Sequence, residues 1–252
     1  ENYTQVNIFK EVFEKQQAPN NQSLITHPHK TIGNENKQHG QFNPYQMNNG
    51  TAIAIAGKDF VCVASDTRIS SGYTIISREY SRTTQLTKTA LLTAGGQVAD
   101  IDGFAKDMQM KVKVYMRQHR REPTLETLAR LVCTTLYSRR FFPYYSFVML
   151  AGINSSGTGV VYGYDVFGSH DTMTYGFTGS GQSMAAPLLD NQFVGHNHLV
   201  KKPAENRQSV EEAAKDIINS IAERDIYTGD SIELTILDKN GVTVRHEPIR
   251  RD

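Results

Sequence analysis

Gly50-Thr51-Ala52-Ile53-Ala54-Ile55-Ala56-Gly57-Lys58-Asp59-Phe60-Val61-Cys62-Val63-Ala64-Ser65-Asp66-Thr67-Arg68 marks an abrupt change of character in this sequence. Two apolar runs, 52–56 and 60–64, flank Gly57-Lys58-Asp59. A glycine followed by two charged residues between such runs reads as the turn of a β-hairpin. Before it, residues 1–50 carry 16 Asn and Gln with scattered Pro, His and Gly. That composition cannot bury enough apolar surface to offset the entropy of ordering. Residues 1–40 therefore read as an extended polar arm or propeptide-like segment, and 41–252 as one folded domain. Within the arm only Val6 to Phe13 could make a short amphipathic turn.

Downstream the pattern continues as strands at Ile75-Ile76 and Ala90 to Ala94, the latter ending at Gly95-Gly96. Apolar residues then recur at three- and four-residue steps, Val98 to Tyr115 and Leu125 to Leu136, which predicts two helices. Pro123 is expected in the first turn of the second. Strands return at Phe147 to Ile153, Gly159 to Tyr164 and Thr172 to Phe177, and a short helix at 183–191 is expected to hold Pro187 in its first turn. Ser209 and Glu212 read as a capping box ahead of Ala213, Ala214, Ile217, Ile218 and Ile221. Ser231 to Leu237 and Val242 to His246 flank Asn240-Gly241 as a closing hairpin.

Strands grouped apart from helices favour an α+β fold with antiparallel sheets. Several strands are apolar on both faces, Phe147-Val148-Met149-Leu150 among them. This predicts two stacked antiparallel sheets flanked by helices.

The chain has 252 residues and a formal net charge of +1, from 27 basic and 26 acidic side chains. No overall field draws it to nucleic acid or to an anionic membrane. No apolar run approaches the ~20 residues a spanning helix needs, and no secretory segment opens the chain. It begins at Glu1 rather than Met, which leaves room for an upstream cleavage. Cys62 and Cys133 lie in apolar runs and read as small buried hydrophobes in a reducing compartment. His27-Pro28-His29 and His196-Asn197-His198 lack the further ligands that fix a tetrahedral metal, so neither metal nor cofactor is expected.

Five blocks resemble the β-type subunits of the 20S proteasome. They are Gly50 to Ala54, Ala64 to Arg68, Ala94 to Asp100, Thr178 to Gly181 and Arg224 to Asp230. The resemblance implies a four-layer αββα sandwich of the N-terminal-nucleophile hydrolase type. It also implies partners: other α- and β-type subunits in a 28-subunit barrel, two β rings between two α rings, with regulatory particles engaged through the whole assembly in cytoplasm and nucleus. Gln41 to Tyr45, Arg140 to Tyr145 and Pro187 to Gln192 are similar to the type at the sixth position of the β ring, which is understood to be non-catalytic.

In active members an N-terminal threonine attacks with its hydroxyl while its free α-amine acts as base. An Asp sixteen residues on supports a Lys a further sixteen on, and a Gly–Gly turn offers an N–H to the oxyanion. Here Asp66 fits the Asp position, Gly50 falls at the nucleophile, and Arg82 falls at the Lys. Gly96 fits the oxyanion turn, and Ser180 with Asp225 forms a second support. The expectation is a retained shell without its nucleophile: a structural β subunit of the barrel.

Two alternatives remain at this point. Thr51, released by cleavage after Gly50, could serve as the nucleophile of an active threonine peptidase. A free-standing binding module with the same sandwich is the other. Blander readings exist too: Asp66 and Arg68 as a buried polar pair tying down the first hairpin, Gly95-Gly96 as a plain turn, Ser180 as a helix start. The aromatic run Phe141 to Tyr145 reads equally as a core corner or as an anchor for a neighbouring subunit.

Overall fold

The computed structural model describes residues 44–193 and 204–249, and the compact unit starts at Met47. The expected turn at 6–13, both His pairs and the C-terminal 250–252 lie outside the described residues. The apolar hairpin forms β1 (Thr51–Ala56) and β2 (Phe60–Asp66), buried throughout. They are followed by β3 (Ile69–Ser71), β4 (Thr74–Ser77), β5 (Thr83–Thr87) and β6 (Ala90–Gly96). Two helices come next, α1 (Val98–His119) and α2 (Leu125–Tyr137). Then come β7 (Ser146–Ile153), β8 (Gly159–Tyr164), β9 (His170–Met173) and β10 (Tyr175–Gly179). Helices α3 (Gln182–Gln192) and α4 (Arg207–Ala222) precede the closing hairpin β11 (Ser231–Asp238) and β12 (Gly241–Pro248).

One five-stranded sheet runs β10-β1-β2-β11-β12 and another β5-β6-β7-β8-β9, with β3-β4 as a separate ribbon. The pairings between these strands are antiparallel. Side chains alternate across a strand, and here each face meets a different layer. Ile53, Ile55, Cys62, Ala64, Leu234 and Ile236 face α3 and α4, packing on Leu189, Ala214, Ile217 and Ile221. Leu92, Ala94, Val148 and Leu150 of the other sheet pack on Phe104, Met108, Leu128, Val132 and Leu136 of α1 and α2. Between the sheets lie Ala52, Ala54, Ala56, Val61, Val63, Leu91, Met149, Ala151 and Val161. The result is the expected four-layer sandwich with three apolar seams. Truncating a fully buried seam residue such as Leu150 to Ala would cost about 2–5 kcal/mol.

The structure corrects several local expectations. The segment 172–177 is not one strand: it breaks at Thr174, where β9 leaves one sheet and β10 enters the other. Pro187 is the sixth residue of α3, beyond its first turn, so the helix forgoes one backbone bond there. Pro123 precedes α2 altogether. Its cap is Thr124, whose hydroxyl accepts from Thr127 N at 3.3 Å. Helix α4 starts two residues before the expected box, because Asn206 caps it by accepting from Gln208 N and Ser209 N, which leaves Ser209 inside the first turn. The aromatic run divides: Tyr144 packs edge-on against Phe104 at 5.6 Å, whereas Phe141 and Phe142 are 76% and 61% exposed.

Candidate functional site

The chain reaches β1 through Asn48, Asn49 and Gly50. Asn48 is bound on every side: its N donates to Gly96 O at 3.2 Å, its Oδ1 accepts from Val98 N at 2.9 Å, and its Nδ2 donates to Ser70 O at 3.3 Å. This pins the segment to the end of β6, the start of α1 and β3 together. Asn49 and Gly50 then take φ of 57° and 85°, a left-handed turn that Asn and Gly enter at least cost.

Gly50 lands on the second support. Its N donates to Ser180 Oγ at 3.1 Å and its O accepts from Ser180 N at 2.9 Å. Ser180 Oγ donates to Asp225 Oδ2 at 2.7 Å, and Thr228 Oγ1 donates to the same oxygen at 2.7 Å. With the Thr228 proton committed there, Thr51 Oγ1 donates to Thr228 at 2.8 Å and accepts from Gly181 N at 3.1 Å. Thr51 N donates to Asp66 Oδ1 at 2.7 Å. Thr51 is thus fully buried, its hydroxyl satisfied and its nitrogen an amide inside β1.

Asp66 is the hub. Its Oδ1 also accepts from Arg82 Nε at 3.0 Å, and its Oδ2 accepts from Arg68 N at 3.2 Å and Gly229 N at 3.3 Å. Burial pushes this carboxyl upward, while the Arg82 guanidinium and the N–H groups of Thr51 and Gly229 pull against it. The expected Asp66–Arg68 side-chain pair is not formed: Asp66 takes Arg82, and Arg68 Nε instead meets Asp230 Oδ2 at 2.8 Å. A Cβ on Gly229 would press into the Arg68 guanidinium, so a larger residue there would have to displace it.

The structure therefore gathers Gly50, Asp66, Arg82, Ser180, Asp225 and Thr51 into one cluster, with Gly96 joined through Asn48. Gly96 has a φ of 133°, and the Tyr145 carbonyl blocks any Cβ there. Asn48 and Thr228 were not anticipated. Each reaches at least one group distant in sequence, and an Asn and a Thr in a loop give no periodic signal. Among the described residues no group of three His, Cys, Asp or Glu is placed to hold a metal, and no helix is long and apolar enough to cross a membrane.

Two antiparallel sheets between helical layers, with the start of β1 set against Asp66, Ser180 and Asp225, define the N-terminal-nucleophile class of fold. Residues 47–237 match the proteasome subunit family. The chain is 38% identical over 221 residues to proteasome subunit beta type-1 of Arabidopsis thaliana, covering 86% of this chain and 99% of that protein. It is 40% identical to proteasome subunit beta type-1 of Drosophila melanogaster, covering 85% and 93%, and 36% identical to a probable proteasome subunit beta type-6 of Schizosaccharomyces pombe, covering 84% and 98%. The chain belongs to the proteasome subunit family, on its β-type side.

Proposed function

We propose that this chain is a non-catalytic, structural β subunit of the 20S proteasome core, at the place occupied by the type-1 subunits it resembles. In that place it helps close a 28-subunit barrel that degrades proteins. One observation carries the reading. The position wedged against Ser180 and Asp66 is Gly50, which has no side-chain hydroxyl to attack with. Arg82 supports the same conclusion. Its planar guanidinium gives its Nε to Asp66, so it offers no compact ammonium to a reacting hydroxyl.

Thr51 does not fill the gap. Its hydroxyl is bonded to Thr228 and Gly181 N in the interior, away from solvent. Two free cysteines are compatible with a reducing setting in cytoplasm and nucleus. The test is to treat the assembled particle with an electrophilic peptide inhibitor and measure intact masses. The expected outcome is no adduct on this chain and no form beginning at Thr51. A labelled chain starting with Thr51 overturns the proposal.

A further inference from the structure

The Arg82 side chain is fully buried, and the two residues before it are both tied down. Tyr80 donates its hydroxyl to Asp102 of α1 at 2.7 Å, and its N donates to Thr67 O at 3.0 Å. Ser81 donates to Glu233 of β11 at 2.8 Å. Directly after these two clamps Arg82 enters the cluster, where Nε reaches Asp66 Oδ1 and its carbonyl (3.0 and 3.1 Å) and Nη2 reaches Arg68 O. Nη1 is buried with no hydrogen-bond partner among the described residues. A buried unsatisfied donor is costly. Hydrogen bonding alone therefore does not account for an arginine here, and its volume matters.

That volume is the space above Gly50. A Cβ built on Gly50 would fall inside the guanidinium, overlapping both Nη2 and the central carbon, and would lie 2.7 Å from Asp66 Oδ1. We infer that Arg82 is a stopper: its guanidinium occupies the volume of any residue-50 side chain and welds the turn before β1 to β2. Gly50 and Arg82 are then one coupled unit: with Arg82 in place, no side chain fits at residue 50. This rests on the reading that residue 50 does no chemistry, and it adds that the space beside residue 50 is interior packing.

A double-mutant cycle on the full chain, read by thermal unfolding, tests the coupling. Gly50→Ala carries a backbone cost from the positive φ in every background, so only the clash depends on Arg82. In the Arg82→Lys background, Gly50→Ala is expected to lower Tm by roughly 2–4 °C. With Arg82 present the drop is expected to be at least twice as large, or the chain fails to fold. Arg82→Met, which keeps the stem and drops the fork, is a second background that must give the same rescue. If Gly50→Ala alone fails to fold, a cooperative transition regained in either double variant supports the stopper. Equal shifts in all backgrounds, or double variants that stay unfolded while Arg82→Lys and Arg82→Met fold, overturn it. Inhibitor labelling of a chain that starts at Thr51 would end the non-catalytic reading, whereas the cycle is read on the uncleaved chain that still carries Gly50. An additive cycle would end the stopper and leave that reading standing.

Discussion

Asp230 shows how the region around the cluster depends on charge. It is almost completely buried at φ 70°, paired with Arg68 Nε at 2.8 Å and with Arg78 Nη1. Burial raises its carboxyl, but the Arg68 and Arg78 guanidinium groups together hold it below the ordinary carboxylate value. A carboxyl with a lowered folded-state pKa is ionised preferentially in the native state. Its stabilisation is therefore present above the unfolded value near 3.9 and fades as pH falls through the lowered folded value. Asn tolerates the same left-handed backbone, so Asp230→Asn removes charge without adding strain. Denaturant unfolding should show a loss of about 3 kcal/mol at pH 7, with the gap to the parent chain closing below about pH 4. A gap that stays constant with pH would refute the paired-charge account. Cys62 gives a second check at this scale. Burial against the α3–α4 seam pushes its thiol up to about 12. Alkylation followed by mass mapping should therefore leave Cys62 unmodified until denaturant is added, since only the thiolate reacts.

At the scale of elements, the α4 cap separates the two helix starts considered. Asn206 Oδ1 accepts from Gln208 N at 3.0 Å, whereas Ser209 lies inside the first turn. Asn206→Ala should therefore cost about 1 kcal/mol in urea unfolding, and Ser209→Ala should cost little. A reversed order would restore the capping-box reading. The same helix shows why some boundaries could be read and others not. Its apolar stripe, Val210, Ala214, Ile217, Ile218 and Ile221, repeats with helical period and is buried as that period requires. Caps compete among several polar residues near the start, and side-chain chemistry alone does not rank them. Strands β1, β2, β6 and β7 were legible because both faces are apolar. The break at Thr174 was not, because β-branched and aromatic residues continue through it and only the sheet partners change. In the cluster, the spacing of Gly50, Asp66 and Arg82 was visible through the family resemblance. The filling of the space above Gly50 by Arg82 was not, since it depends on loops tied to α1 and β11.

At the scale of the whole molecule, exposed apolar surface distinguishes what this chain needs to fold from what it needs to assemble. Phe141 and Phe142 are mostly exposed at the end of α2, while Tyr144, two residues on, is packed against Phe104 and lies under the Arg139 guanidinium at 5.1 Å. Burial on folding stabilises a side chain in proportion to the apolar area removed from water. Tyr144 therefore contributes to the fold, and the two phenylalanines contribute far less. Adjacent aromatics left outside, with Arg140 over the Phe141 ring at 5.4 Å, have the composition of interface anchors. If a neighbouring subunit covers them, Phe141→Ser with Phe142→Ser should shift the Tm of the isolated chain by no more than about 2 °C. The same pair should lower incorporation into assembled particles at least several-fold, measured by native mass spectrometry of co-expressed subunits. Tyr144→Ser should show the reverse pattern, with a destabilised chain whose folded fraction still assembles. Equal incorporation of the Phe141/Phe142 variant and the parent would remove this corner from the assembly contacts and leave the fold assignment intact.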